Sequence, residues 1–153
     1  MKLIVLQGPE NSGKTTTLKK IYERLKCINA ADSNYFEYVD SNLRDFNGVL
    51  EIDTNKICGV SCNKIVKVGI ITQGDYVRKS NSIYNHLKKM LNEKCDITIC
   101  ACSEKKNSSI NPIDKINSFV TDNKQKVDNP IIIHQRIVKY TVQDILIELL
   151  KLI

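Results

Sequence analysis

Apolar residues fall into short unbroken runs that alternate with stretches where they recur every three or four positions, as expected of buried strands and amphipathic helices. Leu3-Ile4-Val5-Leu6 is unbroken and stops at Gly8-Pro9, which predicts a central strand covered on both faces. From Lys14 onward, Leu18, Ile21, Tyr22 and Leu25 are spaced i, i+3, i+4 and i+7 and share one helical face, with Lys19, Lys20, Glu23 and Arg24 toward water. The glycine-bearing segment between them is a turn that joins strand to helix.

The stretch from 29 to 63 is less regular. Short strands are predicted at Tyr35 to Val39 and at Gly48 to Ile52, and Asp53-Thr54-Asn55-Lys56 reads as a turn into Ile57-Cys58-Gly59-Val60, giving an antiparallel hairpin. Ile65 to Thr72 has an apolar second half that predicts a further buried strand, stopped by Gly74. Ser80 or Asn81 is placed to cap a helix carrying Ile83, Leu87, Met90 and Leu91, and Asp96 to Cys102 follows as a third apolar strand. Asn111-Pro112-Ile113-Asp114 combines a capping residue, a proline at the first helical position and a first-turn acid, ahead of an apolar face of Ile113, Ile116 and Val120. Pro130 to Ile133 predicts a fourth buried strand, and Thr141-x-x-Asp144 opens a last helix with Val142, Ile145, Leu146, Leu149, Leu150 and Ile153 at helical spacing.

This alternation implies an α/β fold in three layers, a mostly parallel sheet with helices on both faces and one antiparallel hairpin. No repeat, low-complexity tract or linker interrupts residues 1–153, so one domain is expected. Ligands of such sheets bind at the carboxyl ends of the strands. That edge would collect Gly8 to Thr15, Thr72 to Asp75, Cys102 to Glu104 and His134 to Arg136.

Composition changes this picture little. A length of 153 residues is enough for a hydrophobic core without disulfides or a structural metal. The apolar start reaches Gln7-Gly8-Pro9 too soon for a signal-peptide core, and Gln143, Asp144, Glu148 and Lys151 interrupt the last apolar stretch, so no membrane span and a cytoplasmic location are expected. Six cysteines are present; Cys58, Cys95, Cys100 and Cys102 lie in or beside strand-like runs and read as core thiols, and no Cys-x-x-Cys pair points to a metal. The net charge of +6 could serve a nucleic-acid partner, but Lys19-Lys20, Lys88-Lys89 and Lys105-Lys106 are scattered and only four arginines occur.

The chemistry concentrates at Gly8-Pro9-Glu10-Asn11-Ser12-Gly13-Lys14-Thr15, which satisfies G-x-x-x-x-G-K-[ST] at every defined position, between a predicted strand and a predicted helix. The glycines let the backbone curl so that amides point into one concavity, a nest for phosphate oxygens at the positive end of the following helix. Lys14 adds an ammonium able to reach the β- and γ-phosphates, and the Thr15 hydroxyl can ligate Mg²⁺ between them, with Thr16 continuing the helix beside the phosphates.

In these residues the chain resembles the P-loop NTPase superfamily, and the resemblance covers the strand-loop-helix unit and the α/β alternation behind it. It implies binding of a nucleoside triphosphate with Mg²⁺, and an acid at the end of a second buried strand that holds the metal. Asp75, after Val68-Gly69-Ile70-Ile71-Thr72-Gln73-Gly74, is the candidate, with Asp53 and Asp40 as alternatives, and Gln73 is a candidate for orienting an attacking water. Thr72-Gln73-Gly74-Asp75 lacks the adjacent acids usual in motor-like and AAA-type ATPases, and no Asn-Lys-x-Asp is present to read guanine, so ATP is favoured over GTP.

Small P-loop kinases are similar in size and in lacking an acidic pair. By that resemblance Asp40-Ser41-Asn42-Leu43-Arg44 is a candidate acceptor site, with Asp40 as base and Arg44 as phosphate clamp, although Arg78 and Arg136 are too far apart to form the usual lid. A weaker resemblance runs to small uncharacterised bacterial ATP-binding proteins, through Ile71-Thr72-Gln73-Gly74-Asp75 and the Cys-containing strand that Asp96 begins. Those proteins tend to carry an Arg after that second strand. Ser103 stands there here, leaving Lys105 or Lys106 to supply a phosphate contact, while His134 and Arg136 are candidates to reach the nucleotide. The expected activity is a Mg-dependent ATPase acting as a switch or accessory module; the alternatives are a small-molecule or nucleotide kinase and a nucleic-acid-binding module of a mobile element.

Overall fold

A computed structural model describes residues 1–27, 31–38, 45–56, 64–73, 82–104 and 111–153. In chain order the elements are β1 (Lys2–Gly8), α1 (Lys14–Cys27), β2 (Ala31–Tyr38), β3 (Phe46–Asp53), β4 (Ile65–Ile71), α2 (Ile83–Asn92), β5 (Ile97–Ser103), α3 (Pro112–Asp122), β6 (Ile131–His134) and α4 (Val138–Leu152), with one 3₁₀ turn at Thr54–Lys56. Among the described residues six strands form one mixed sheet in the order β2-β3-β4-β5-β1-β6. The pairs β4/β5, β5/β1 and β1/β6 are parallel, while β2/β3 and β3/β4 are antiparallel.

Alternation along β1 divides the core in two. Ile4 and Leu6 point to the face covered by α1 and α4, where Leu18, Ile21, Leu25, Val142, Ile145 and Leu149 meet them. Leu3 and Val5 point to the face covered by α2 and α3, through Ile83, Leu87, Met90, Ile116 and Phe119. A side-chain period of two on a strand buried on both faces produces this three-layer arrangement.

Of the two helix starts marked by cap residues, that of α3 is as expected and the cap of α2 is corrected. Asn111 caps α3 by accepting from the Ile113 amide, with Pro112 in the first turn. The cap of α2 is Ser82, which accepts from the Asn85 amide, and not Ser80 or Asn81, which lie outside the described residues. The last helix departs from expectation: it starts at Val138, and the Thr141 hydroxyl accepts from the Arg136 amide instead of opening the helix.

Two further expectations are corrected. Strand β3 pairs along its length with β4, Asn47 to Asp53 against Ile71 to Ile65, so the hairpin partner is the strand placed further along; residues 57–60 lie outside the described residues. Among the described residues β6 has only β1 beside it, and this edge position leaves Ile132 44% exposed in place of the buried strand expected.

At the amino edge, Asp96 ties three strands together: its carboxylate accepts from the Lys67 amide at 2.9 Å and its carbonyl from the Lys2 amide at 2.7 Å. Cys95, Cys100 and Cys102 are buried, in keeping with core thiols, and Cys27 is exposed. Burial pushes the Cys95 thiol up to about 12 and holds Cys100 well above the ordinary thiol range, so both stay protonated at neutral pH. Among the described residues no helix is long and apolar enough to cross a membrane.

Gly69 in β4 tests this packing. A Cβ there would meet Met90 Sδ at 2.7 Å, Thr98 Oγ1 at 3.1 Å and Cys95 Sγ at 3.2 Å. Gly69→Ala is expected to lower stability by about 1–3 kcal/mol, read as a fall in the urea unfolding midpoint, since an added methyl group must displace packed neighbours.

Candidate functional site

The segment 8–15 leaves β1 at Gly8 and enters α1 at Lys14, at the carboxyl edge of the parallel strands. Asn11 has φ +58° and Gly13 has φ +89°, two left-handed residues flanking Ser12, and the Ser12 amide donates to the Pro9 carbonyl at 3.4 Å. Such backbone reversals turn successive amides toward one side of the chain, the geometry of an anion-binding nest. Helix α1 takes its first intrahelical bond from the Thr17 amide to the Gly13 carbonyl at 2.9 Å, so the ladder begins one turn inside the loop. The first turn of α1 carries no acid to offset the positive end of the helix.

Lys14 is 7% exposed, and its ammonium donates to the Gly8 carbonyl at 3.0 Å and to the Pro9 carbonyl at 2.5 Å, which folds it over the loop. The Ser12 hydroxyl oxygen is buried and has no hydrogen-bond partner. A Cβ on Gly8 would lie 3.0 Å from it, which places that hydroxyl directly over the end of β1. A buried hydroxyl left unsatisfied costs about 1–3 kcal/mol, and a phosphate oxygen in the concavity would satisfy it.

Gln135 holds the loop from below and was not singled out in the sequence. Its amide donates to the Gln7 carbonyl at 2.7 Å, its side-chain oxygen accepts from the buried Thr17 hydroxyl at 3.0 Å, and its side-chain nitrogen donates to the Arg136 carbonyl at 2.7 Å. One side chain thus links the end of β1, the first turn of α1 and the approach to α4. The expectation that His134 to Arg136 reach this edge includes Gln135 by position, but its contacts to Gln7 and Thr17 are not local and leave no signal in the sequence.

The carboxyl edge brings together most of the segments expected there. The Glu104 amide donates to the Gly8 carbonyl at 3.0 Å, and the Thr15 hydroxyl lies 3.5 Å from the Thr72 carbonyl. His134, an exposed side chain, faces Glu104 across the end of β1 at 3.6 Å, and Arg136 is exposed. Gln73 is buried, with its side-chain oxygen lacking a hydrogen-bond partner. Asp75, Asp40, Arg44, Arg78, Lys105 and Lys106 lie outside the described residues.

Asp53 is corrected as a metal candidate. It pairs with Ile65 at the start of β4, on the opposite edge from the loop, and its carboxylate accepts from the Asn55 amide at 3.1 Å in a local turn. An acid that the described structure brings to the first turn of α1 is Asp45, just ahead of β3, which accepts from the Thr15 hydroxyl at 3.1 Å and from the Thr72 hydroxyl at 3.1 Å. Because β3 is antiparallel to β4, its beginning lies at the edge where β4 ends.

Hard oxygen atoms of this kind suit Mg²⁺. No group of three or more His, Cys, Asp or Glu side chains able to hold a metal occurs among the described residues, so a cation here would take hydroxyl and phosphate oxygens as well. An apolar cavity of about 300 Å³ between the carboxyl ends of α1 and α4, lined by Leu25, Ile52, Leu146 and Leu149, lies at the other edge of the sheet, away from the loop. Comparison with protein families, curated proteins and solved structures finds no match to this chain.

Gly8 is the tightest point of the site. A Cβ there would stand 2.8 Å from Gln135 Cβ, an atom fixed to its own backbone and unable to swing aside. Gly8→Ala is expected to cost about 1–3 kcal/mol of stability. Urea unfolding measures it, and an unchanged midpoint would contradict the close approach.

Proposed function

We propose that the chain binds ATP with Mg²⁺ through residues 8–15 and hydrolyses it slowly, acting as a switch or accessory module. The observation that carries this reading is the conformation of the loop: left-handed backbone at Asn11 and Gly13, ahead of a helix whose own first turn carries no acid, and Lys14 folded against the loop carbonyls. In this reading the amides of Gly13 to Thr16 donate to phosphate oxygens, and Ser12 donates its hydroxyl to one of them. The Lys14 ammonium exchanges its carbonyl partners for the β- and γ-phosphates, a charge-assisted contact stronger than the one it leaves. The Thr15 hydroxyl would be a ligand of Mg²⁺, which would supply positive charge to offset that of the phosphates.

The finer P-loop character of the fold belongs to the same proposal. Its support is the placement of the loop between a strand buried on both faces and a helix packed against one of them. Preference for ATP rests on the missing guanine-reading motif in the sequence. The kinase alternative draws on Asp40 and Arg44, which lie outside the described residues, and no described contact favours it over hydrolysis.

Calorimetric titration with Mg-ATP tests the reading. The wild type is expected to bind, and Lys14→Ala to bind at least about tenfold more weakly, since a hydrogen bond to a charged group contributes about 1.5–3 kcal/mol. Equal affinity of the two proteins would contradict the assignment of Lys14 and of the loop. Phosphate release from ATP by the wild type, reduced in Lys14→Ala, is the accompanying expectation.

A further inference from the structure

Around Asp45 four oxygen atoms from three separate segments converge. The Thr15 hydroxyl donates to Asp45 Oδ1 at 3.1 Å, the Thr72 hydroxyl donates to the same oxygen at 3.1 Å, and the Thr72 carbonyl is 3.5 Å from the Thr15 hydroxyl. Thr72 is 1% exposed and is itself anchored, since its hydroxyl accepts from the Phe46 amide at 2.8 Å and its amide donates to the Phe46 carbonyl at 3.1 Å. The residue after Asp45 is therefore clamped to the end of β4 on both sides of its peptide unit, and the Asp45 carboxylate is aimed at the first turn of α1.

We infer that Asp45 is the protein carboxylate that holds the nucleotide's divalent cation together with Thr15, and that Thr72 is the positioning residue that fixes it there. The inference rests on the nucleotide reading above. Mg²⁺ binds oxygen at about 2.0–2.1 Å in an octahedron, so neighbouring ligand oxygens stand about 3 Å apart. The separation of Thr15 Oγ1 and Asp45 Oδ1, 3.1 Å, is that of two adjacent ligands. Asp45 would supply the negative charge and Thr15 a hydroxyl lone pair to a divalent cation held there, in place of the hydrogen bond that now joins them.

The origin of the carboxylate is what distinguishes this arrangement. An acid following the carboxyl end of a parallel strand is what the loop's resemblance leads one to seek, and Asp75 is placed in sequence to be one. Asp45 instead precedes an antiparallel strand and reaches the same edge because β3 runs opposite to β4. Thr72, which stands at that carboxyl end, acts through Asp45 by its hydroxyl.

The test uses the full chain and a non-hydrolysable ATP analogue, titrated in EDTA and in Mg²⁺, with thermal melting as the check that each variant folds. In the wild type Mg²⁺ is expected to tighten binding. Asp45→Asn, nearly isosteric, is expected to bind the analogue in EDTA at least as tightly as the wild type, since a negative charge facing the phosphates is removed, and to lose the Mg²⁺-dependent gain by at least about tenfold, the smallest loss usual even for a partner outside the ligand shell. Thr72→Val is expected to lose part of that gain and Thr72→Ser to retain it, because serine keeps the hydroxyl that holds the carboxylate. Mn²⁺ with the analogue supplies a readout independent of affinity: its electron paramagnetic resonance spectrum changes on binding to the wild type and changes differently with Asp45→Asn. Full Mg²⁺-dependent tightening in Asp45→Asn, or its loss in Asp75→Asn with Asp45→Asn unaffected, would overturn the inference while leaving the nucleotide reading intact. Absence of binding by the wild type in either buffer would overturn the nucleotide reading and the inference with it.

Discussion

Gly8 lies against Gln135 with no room for a side chain of its own, and the seating of the whole loop follows from that contact. Gln135 is fixed in turn by the Gln7 carbonyl, the Thr17 hydroxyl and the Arg136 carbonyl. The end of β1, the start of α1 and the approach to α4 are therefore set relative to one another before any ligand arrives. Preorganisation of this kind removes part of the ordering cost that a flexible loop would meet on binding an anion. The left-handed residues Asn11 and Gly13 then have a fixed frame on either side, which is how a locally unfavourable backbone persists.

The sheet contributes a second constraint through its change of direction. From β4 to β6 all pairings are parallel, so strand ends accumulate on one edge and the amino ends on the other. Strand β3 reverses this, delivering its first residues to the edge where its neighbours finish. Buried polar groups cluster at that junction. Thr72 bonds to both backbone groups of Phe46, and the Asn47 side chain meets His86 Nδ1 of α2 at 2.8 Å. These contacts lock the start of β3 against β4 and α2 and leave Asp45 at the rim, directed toward Thr15. The apolar layers secure the strands, and this polar seam secures the register that gives the rim its chemistry.

Much of this was legible in the chain itself. The unbroken run Leu3 to Leu6 and the helical spacing of Leu18, Ile21 and Leu25 correspond to β1 and to the buried face of α1, because period and burial are local signals. The cap at Asn111 and the start of α3 were equally plain, since capping chemistry is a matter of adjacent residues. Strand partnership was not local. Nothing within Gly48 to Ile52 tells whether it pairs with the next few residues or with a strand beginning at Ile65, and nothing in Pro130 to Ile133 tells that only one neighbour lies beside it. The loop residues were evident from their spacing, whereas Asp45 and Gln135 act through contacts 30 and 118 residues away in sequence. Thr141 shows the converse failure, a motif that suited a helix start but whose hydroxyl serves the Arg136 amide inside a helix already begun.

Convergence of backbone amides on a phosphate chain is the claim from which the other roles derive, and amide chemical shifts report it residue by residue. Two-dimensional nitrogen-proton spectra of the uniformly labelled chain, recorded during titration with Mg-ATP, should show the largest displacements at the amides of Glu10 to Thr16, with smaller ones at Asp45 and Gln135. Saturation that leaves those amides in place, or displacements centred on the apolar cavity between α1 and α4, would contradict it.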